Sequence, residues 1–255
     1  MKIEKLGRRN IYALFILACC FSGLAYGQIK RNKKTTLVLN IQHFVGNQKL
    51  QIDSINYNNN LDQQFTITKF KYYISNICLK NKNGDVFLTN HVFLVDEEDS
   101  LSKTIELKDV PIDEYASIHF LIGVDSSRNC SGAQSGTLDP INGMFWTWNT
   151  GYIFMKLEGR SSSSSAPDGL LEYHIGGYKE PVNAIKSVSL PFNYPLDLSS
   201  NDKKTIVIKA DILELLKTPT DIDFNRTPII TGIDNAVLIS DNYTDMFQLI
   251  LNEKN

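Results

Sequence analysis

The sequence is poor in the residues that usually announce a chemistry. Its 255 residues include only four cysteines, four histidines, four methionines and two tryptophans. No Gly-x-Ser-x-Gly elbow, His-Glu-x-x-His helix, P-loop or Gly-x-Gly-x-x-Gly turn occurs, so the familiar hydrolase, zinc-protease and nucleotide-binding signatures are absent. No pair of cysteines has the two-residue spacing of a zinc or redox motif. Positive charge is not in excess either. The formal net charge is −2, which argues against a nucleic-acid binder, since such a protein needs a basic face. The single long apolar run, IYALFILACCF, is too short to span a bilayer comfortably.

That run belongs to a leader. Lys2, Lys5, Arg8 and Arg9 precede it, and the small residues Ala25 and Gly27 come after it. A charged region, an apolar region and a small-residue cleavage site make a signal peptide over residues 1–27, leaving 28–255 as one domain. A second reading is lipoprotein processing at Cys19, because ILAC resembles a lipobox. Either way the protein works outside the cytoplasm, in the periplasm or secreted. Removing the leader takes four basic residues and one acidic one, so the remainder is more acidic than the whole. It also takes Cys19 and Cys20. Cys78 and Cys130 remain, and two readings stay open: one disulfide in an oxidising compartment, or two separate thiols with Cys78 buried as a small hydrophobe.

What the chain does have is β-forming sequence. TTLVLNIQHF, QFTITKFKYYISNICLK, YASIHFLIGVD, FWTWNTGYIFMKLEG and KKTIVIKADIL are rich in Val, Ile, Thr, Tyr and Phe. Gly, Asn, Asp, Pro and Ser separate them. The pattern predicts an all-β fold, an antiparallel β-sandwich with few short helical turns. DILELLK is expected to make one or two turns before Pro219 stops it. RSSSSSAPDG reads as a hairpin tip within the domain.

Candidate site residues are few. His43 continues the face of Leu37, Leu39 and Ile41 by the period of two. It is either a satisfied core histidine or a ligand. His174 stands in EYHIGGY, where Gly176 and Gly177 allow close backbone approach and leave room beside the ring. His119 and His91 read as surface. Trp146 and Trp148 stand two apart with Met144 on one strand face, as core, as a sugar-stacking platform, or as oxidisable groups. Asp221, Asp223 and Asn225 alternate like calcium donors, without the glycine and terminal glutamate of an EF-hand loop.

Taken together, GVDSSRNCSGAQSGTLDPINGMFWTWNTGYIFMKLEG, the earlier FKYYISNICLKNKNG, the later YHIGGY and the C-terminal DNYTDMF strongly resemble the MbnP-like family of secreted copper-binding proteins. The resemblance runs from about Leu37 to Phe247. It implies a β-sandwich, no enzymatic activity of its own, and a copper site built from histidines and an oxidised tryptophan. In relatives a diheme peroxidase of the MauG kind converts a tryptophan to kynurenine, whose amine helps ligate copper. Carried onto this chain, His43 and His174 are the expected ligands, and Trp146 or Trp148 the modified residue. The two histidines are then expected to meet near the WTW segment. The alternative of another class is a surface carbohydrate-binding or adhesion module without metal, which needs exposed indoles and no nearby histidine.

Overall fold

The computed structural model describes residues 33–250 except 85, 147–150, 200, 201 and 234. The leader with Cys19, and Trp148, therefore lie outside the described residues. In chain order the strands are β1 (Lys34–Val45), β2 (Gln48–Lys49), β3 (Tyr57–Asn58), β4 (Gln64–Asn81), β5 (Val86–Leu88), β6 (Val92–Asp96), β7 (Thr104–Pro111), β8 (Glu114–Ile122), β9 (Phe145–Trp146), β10 (Gly151–Ser161), β11 (Leu170–Gly176), β12 (Tyr178–Lys179), β13 (Val182–Asn183), β14 (Lys186–Asp197), β15 (Lys204–Asp211), β16 (Ile229–Gly232) and β17 (Phe247–Ile250). Among the described residues helix is confined to α1 (Ser126–Cys130), α2 (Ile212–Leu215), α3 (Ala236–Ser240) and short 3-10 turns. The expected all-β class is what the chain adopts, and α2 ends before Pro219 as expected. No helix among the described residues is long and apolar enough to cross a membrane.

One sheet runs β17-β15-β1-β2, with β7 also paired to β1. The other runs β14-β8-β4-β10-β11-β16, with β3, β5 and β6 paired to β4 and β9 to β10. Among the described residues two pairs depart from antiparallel order: β1 with β15, and β11 with β16. Long intervening segments make parallel pairing possible, since a hairpin cannot. The expected single aromatic strand FWTWNTGYIFMKLEG is instead a hairpin, with Trp146 opposite Gly151 and Phe145 opposite Tyr152. RSSSSSAPDG does join two paired strands, β10 and β11.

Period-two alternation fills the space between the sheets. Leu37, Leu39, Ile41, His43 and Val45 of β1 are buried, as are Phe70, Tyr72 and Ile74 of β4. Phe247 of the first sheet meets Phe120 and Tyr72 of the second, with ring centroids 5.1 and 5.7 Å apart. Each such ring contributes about 1.5–3 kcal/mol of burial.

Candidate functional site

His43 projects from β1 into the sandwich and meets the inner face of the larger sheet. Its ring is 4% exposed as a residue. Nδ1 lies 2.6 Å from Glu97 Oε2, and Nε2 lies 2.9 Å from Tyr72 Oη. Phe70 packs edge-on at 5.0 Å. Lys103 Nζ holds the same Glu97 oxygen at 2.8 Å. Burial lowers the His43 pKa despite the opposing pull of Glu97. The imidazole is therefore neutral, donating Nδ1–H to Glu97 and accepting the Tyr72 hydroxyl at Nε2, so the Glu97 contact is a hydrogen bond rather than an ion pair. Burial pushes the Glu97 carboxyl up, but hydrogen bonds from His43 and Lys103 outweigh it and the net shift is downward. Both ring nitrogens are occupied, which makes this a satisfied core histidine.

His174 lies on the other side of the larger sheet. Tyr72 of β4 pairs with Met155 of β10, which pairs with Ile175 of β11, and all three are buried. One residue along, Lys71 pairs with Lys156, which pairs with His174. Strand alternation therefore puts Lys71, Lys156 and His174 on the outer face and Tyr72, His43's partner, on the inner. The expectation that His43 and His174 converge is corrected: the sheet stands between them. They cannot share one ion in this arrangement.

The outer face has its own polar cluster. His174 Nε2 lies 2.8 Å from Glu158 Oε1, and Nδ1 lies 3.4 Å from Glu172 Oε1. The hydrogen bond from His174 is the main cause that holds the Glu158 carboxyl below its usual range. Lys156 sits 3.9 Å from Glu158 and donates to the Gly143 carbonyl at 2.6 Å. Burial lowers the Lys156 pKa. The Gly143 contact draws the start of the WTW segment onto the His174 face.

Trp146 completes the approach. Gly176 stands two residues beyond His174, on the same side of β11 by alternation. A Cβ built on Gly176 would lie 2.6 Å from Trp146 Cζ3 and 2.5 Å from the Tyr152 carbonyl oxygen. The indole can rest there only because residue 176 is glycine. Trp146 is 6% exposed, and it borders a cleft of about 280 Å³ with Asn129, Tyr152, Gly177 and Tyr178. The structure thus brings Trp146 to the strand of His174 and leaves His43 apart.

The outer donors are of types that a borderline metal ion such as copper accepts. With Nε2–H given to Glu158, the Nδ1 lone pair of His174 and the Glu172 carboxylate stand 3.4 Å apart. That is the bite of a tetrahedral ion with bonds of about 2.0–2.2 Å. Imidazole and carboxylate are donors that divalent copper accepts. Among the described residues no three His, Cys, Asp or Glu side chains are grouped to hold a metal unaided, so a further donor has to come from another residue type. Glu172 was missed by sequence reasoning, although Glu-x-His alternation on one strand face was available to find it. The other candidate residues lie outside this cluster. Cys78 and Cys130 are unpaired thiols. Gln63 Nε2 donates to Asp223 at 2.8 Å and Asn60 Nδ2 to Asp221 at 3.4 Å, so these carboxylates pin a loop with amides rather than forming a cation cage. His91 is exposed, and His119 is partly exposed with Nε2 2.8 Å from Ser117 Oγ.

Comparison with known proteins gives two matches and one absence. The MbnP family model matches residues 34–234. The solved structure of MbnP from Methylosinus trichosporium is similar in fold, with a TM-score of 0.52 and 14% identity over 74% of this chain and 80% of that one. No curated protein matches.

Proposed function

The chain belongs to the MbnP family, and from that premise we propose that it binds copper outside the cytoplasm, on the outer face where Trp146 lies over β11 beside His174. The observation that carries this reading is the seating of Trp146 on Gly176, two residues from an imidazole whose Nδ1 faces Glu172 at 3.4 Å. Glu158 fixes the tautomer of His174, as carboxylate partners of ligating histidines do. Glu172 supplies an anionic oxygen. Oxidation of the indole cleaves its C2–C3 bond with insertion of two oxygen atoms, and hydrolysis of the resulting N-formyl group releases C2 as formate and exposes an aniline-type amine as a further donor. The oxidant is supplied by a partner of the diheme peroxidase class, so this protein is the substrate of that reaction and not an enzyme. Copper is its cargo, held for storage, delivery or scavenging.

One observation favours the second reading, a binding module without metal: the cleft beside Trp146 is lined by Tyr152 and Tyr178. The burial of Trp146 weakens it, because a stacking platform needs an exposed ring face.

The test is production with and without a diheme peroxidase of the MauG kind, followed by intact mass and copper titration. The expected result is a mass change at one tryptophan, lost in Trp146→Phe, accompanied by tighter copper binding. Copper binding that is the same in the parent, Trp146→Phe and Trp148→Phe after co-production would remove tryptophan from the site.

A further inference from the structure

The larger sheet carries a second pairing of metal-binding side chains, on other strands than that of His174. Cys78 of β4 stands directly opposite His119 of β8 in the antiparallel ladder. Both are partly exposed, while their chain neighbours Ile77, Leu79, Ile118 and Phe120 are buried. Alternation therefore puts both side chains on the outer side of the sheet. A bulge produces this register. The ladder slips between Ser75 and Cys78, and Asn76 between them has φ of 51°. The extra residue re-aims the side chains C-terminal to it, as bulges do.

Directly opposed residues have Cβ atoms about 4.5–5.5 Å apart. The flanking positions in this row, Leu88 on β5 and Ser189 on β14, offer no soft donor. His119 Nε2 is 2.8 Å from Ser117 Oγ. With Nε2–H donated to that hydroxyl, Nδ1 keeps its lone pair. Neither Nδ1 of His119 nor Sγ of Cys78 has a hydrogen-bond partner among the described residues. Lys80 exerts a charge effect on both groups, which places them in one neighbourhood.

We propose that Cys78 and His119 form a two-coordinate site for a soft monovalent cation, Cu(I) or Ag(I), separate from the site of His174. Thiolate sulfur and imidazole nitrogen are the donors such an ion takes from proteins. The two donors project from neighbouring strands at Cβ atoms about 4.5–5.5 Å apart, which lets one ion lie between them. Burial, helped by Lys80, lowers the His119 pKa, so the ring is neutral and able to ligate. Burial raises the Cys78 thiol, so the ion displaces a proton. The thiol S–H bond breaks, a sulfur–metal bond forms, and one proton leaves per ion, with no change of oxidation state. The chemistry does not depend on any modified tryptophan.

The experiment uses Ag(I) as silver nitrate in chloride-free solution and the full chain carrying Cys19→Ser, Cys20→Ser and Cys130→Ser, which leaves Cys78 as its one thiol. Bound ions are counted by native mass spectrometry, proton release is read at constant pH, and affinity is measured against a competing monothiol. One ion and one released proton per chain are expected, with the same result when His174→Ala is added. Cys78→Ser should abolish binding. His119→Gln should weaken it at least tenfold with the circular dichroism unchanged. Binding that survives Cys78→Ser, or an affinity unchanged by His119→Gln, overturns the pair as a site.

Discussion

Glu97 reaches across 54 residues of sequence to place Oε2 2.6 Å from Nδ1 of the buried His43. Burial makes His43 a pH sensor of stability, and the Glu97 contact opposes that effect in part. In the unfolded chain a histidine takes up its proton near pH 6.5, whereas burial lowers the folded pKa. Between those two values the unfolded state binds more protons, so stability falls as pH drops below about 6.5 and is complete above it. Glu97, whose folded pKa is also lowered, extends the loss to lower pH: its contribution is present above about 4.5, the usual range for a glutamate, and disappears as pH falls through the folded value. Thermal unfolding between pH 8 and pH 4 should trace this course. His43→Gln should cost about 1–3 kcal/mol at pH 8, from lost buried hydrogen bonds, and flatten the first part of the fall. Parallel profiles for parent and variant would contradict the assignment.

Much of this was legible in sequence, and the part that was not has a physical reason. Period-two alternation was enough to place His43 on the buried face of β1, and β-branched and aromatic content was enough for the fold class. The side of the larger sheet that His174 takes was beyond such reading. It depends on register across β4, β10 and β11, and the β10–β11 ladder slips between Ile153 and Met155. A slip of one residue exchanges faces. The same applies to Cys78, expected as a core residue or a disulfide partner, which a bulge turns outward. Parallel pairing of β1 with β15 is likewise invisible to local pattern, because the partners lie far apart in the chain.

Gly176→Ala tests the seat of Trp146. The added methyl would lie 2.6 Å from the indole and 2.5 Å from a backbone oxygen, and the backbone cannot yield cheaply. A loss of about 1–3 kcal/mol is expected, the usual cost of overpacking. Tryptophan fluorescence should shift to the red as the ring is pushed towards solvent. An unchanged spectrum with unchanged stability would mean that the indole does not rest on Gly176.

Tyr243 offers a change in the stabilising direction. It is fully buried, and its hydroxyl has no hydrogen-bond partner among the described residues. A buried unpaired hydroxyl costs about 1–3 kcal/mol. Tyr243→Phe removes the group and keeps the ring, so the melting temperature should rise, by an amount limited by the small void left behind. Destabilisation by more than about 1 kcal/mol would indicate that the hydroxyl is satisfied after all.

The last prediction separates the two histidines expected to bind copper together. The Nε2 of His43 is closed by the Tyr72 hydroxyl at 2.9 Å in the interior of the sandwich, and an ion there would have to displace a fully buried phenol and bring its charge into an apolar core. His174 faces Glu172 at 3.4 Å on the outer face, with its side chain 14% exposed. Copper affinity of protein co-produced with the peroxidase should therefore fall at least tenfold in His174→Ala and in Glu172→Gln. His43→Gln should lose stability but keep its affinity when compared at a temperature where it remains folded. Glu158→Gln should give an intermediate loss, since an amide still accepts the Nε2 proton but without the charge that strengthens the imidazole as a donor. Equal losses in His43→Gln and His174→Ala would require the two rings to meet, against their positions on opposite faces of the sheet. A loss in His43→Gln alone would move the copper into the sandwich core.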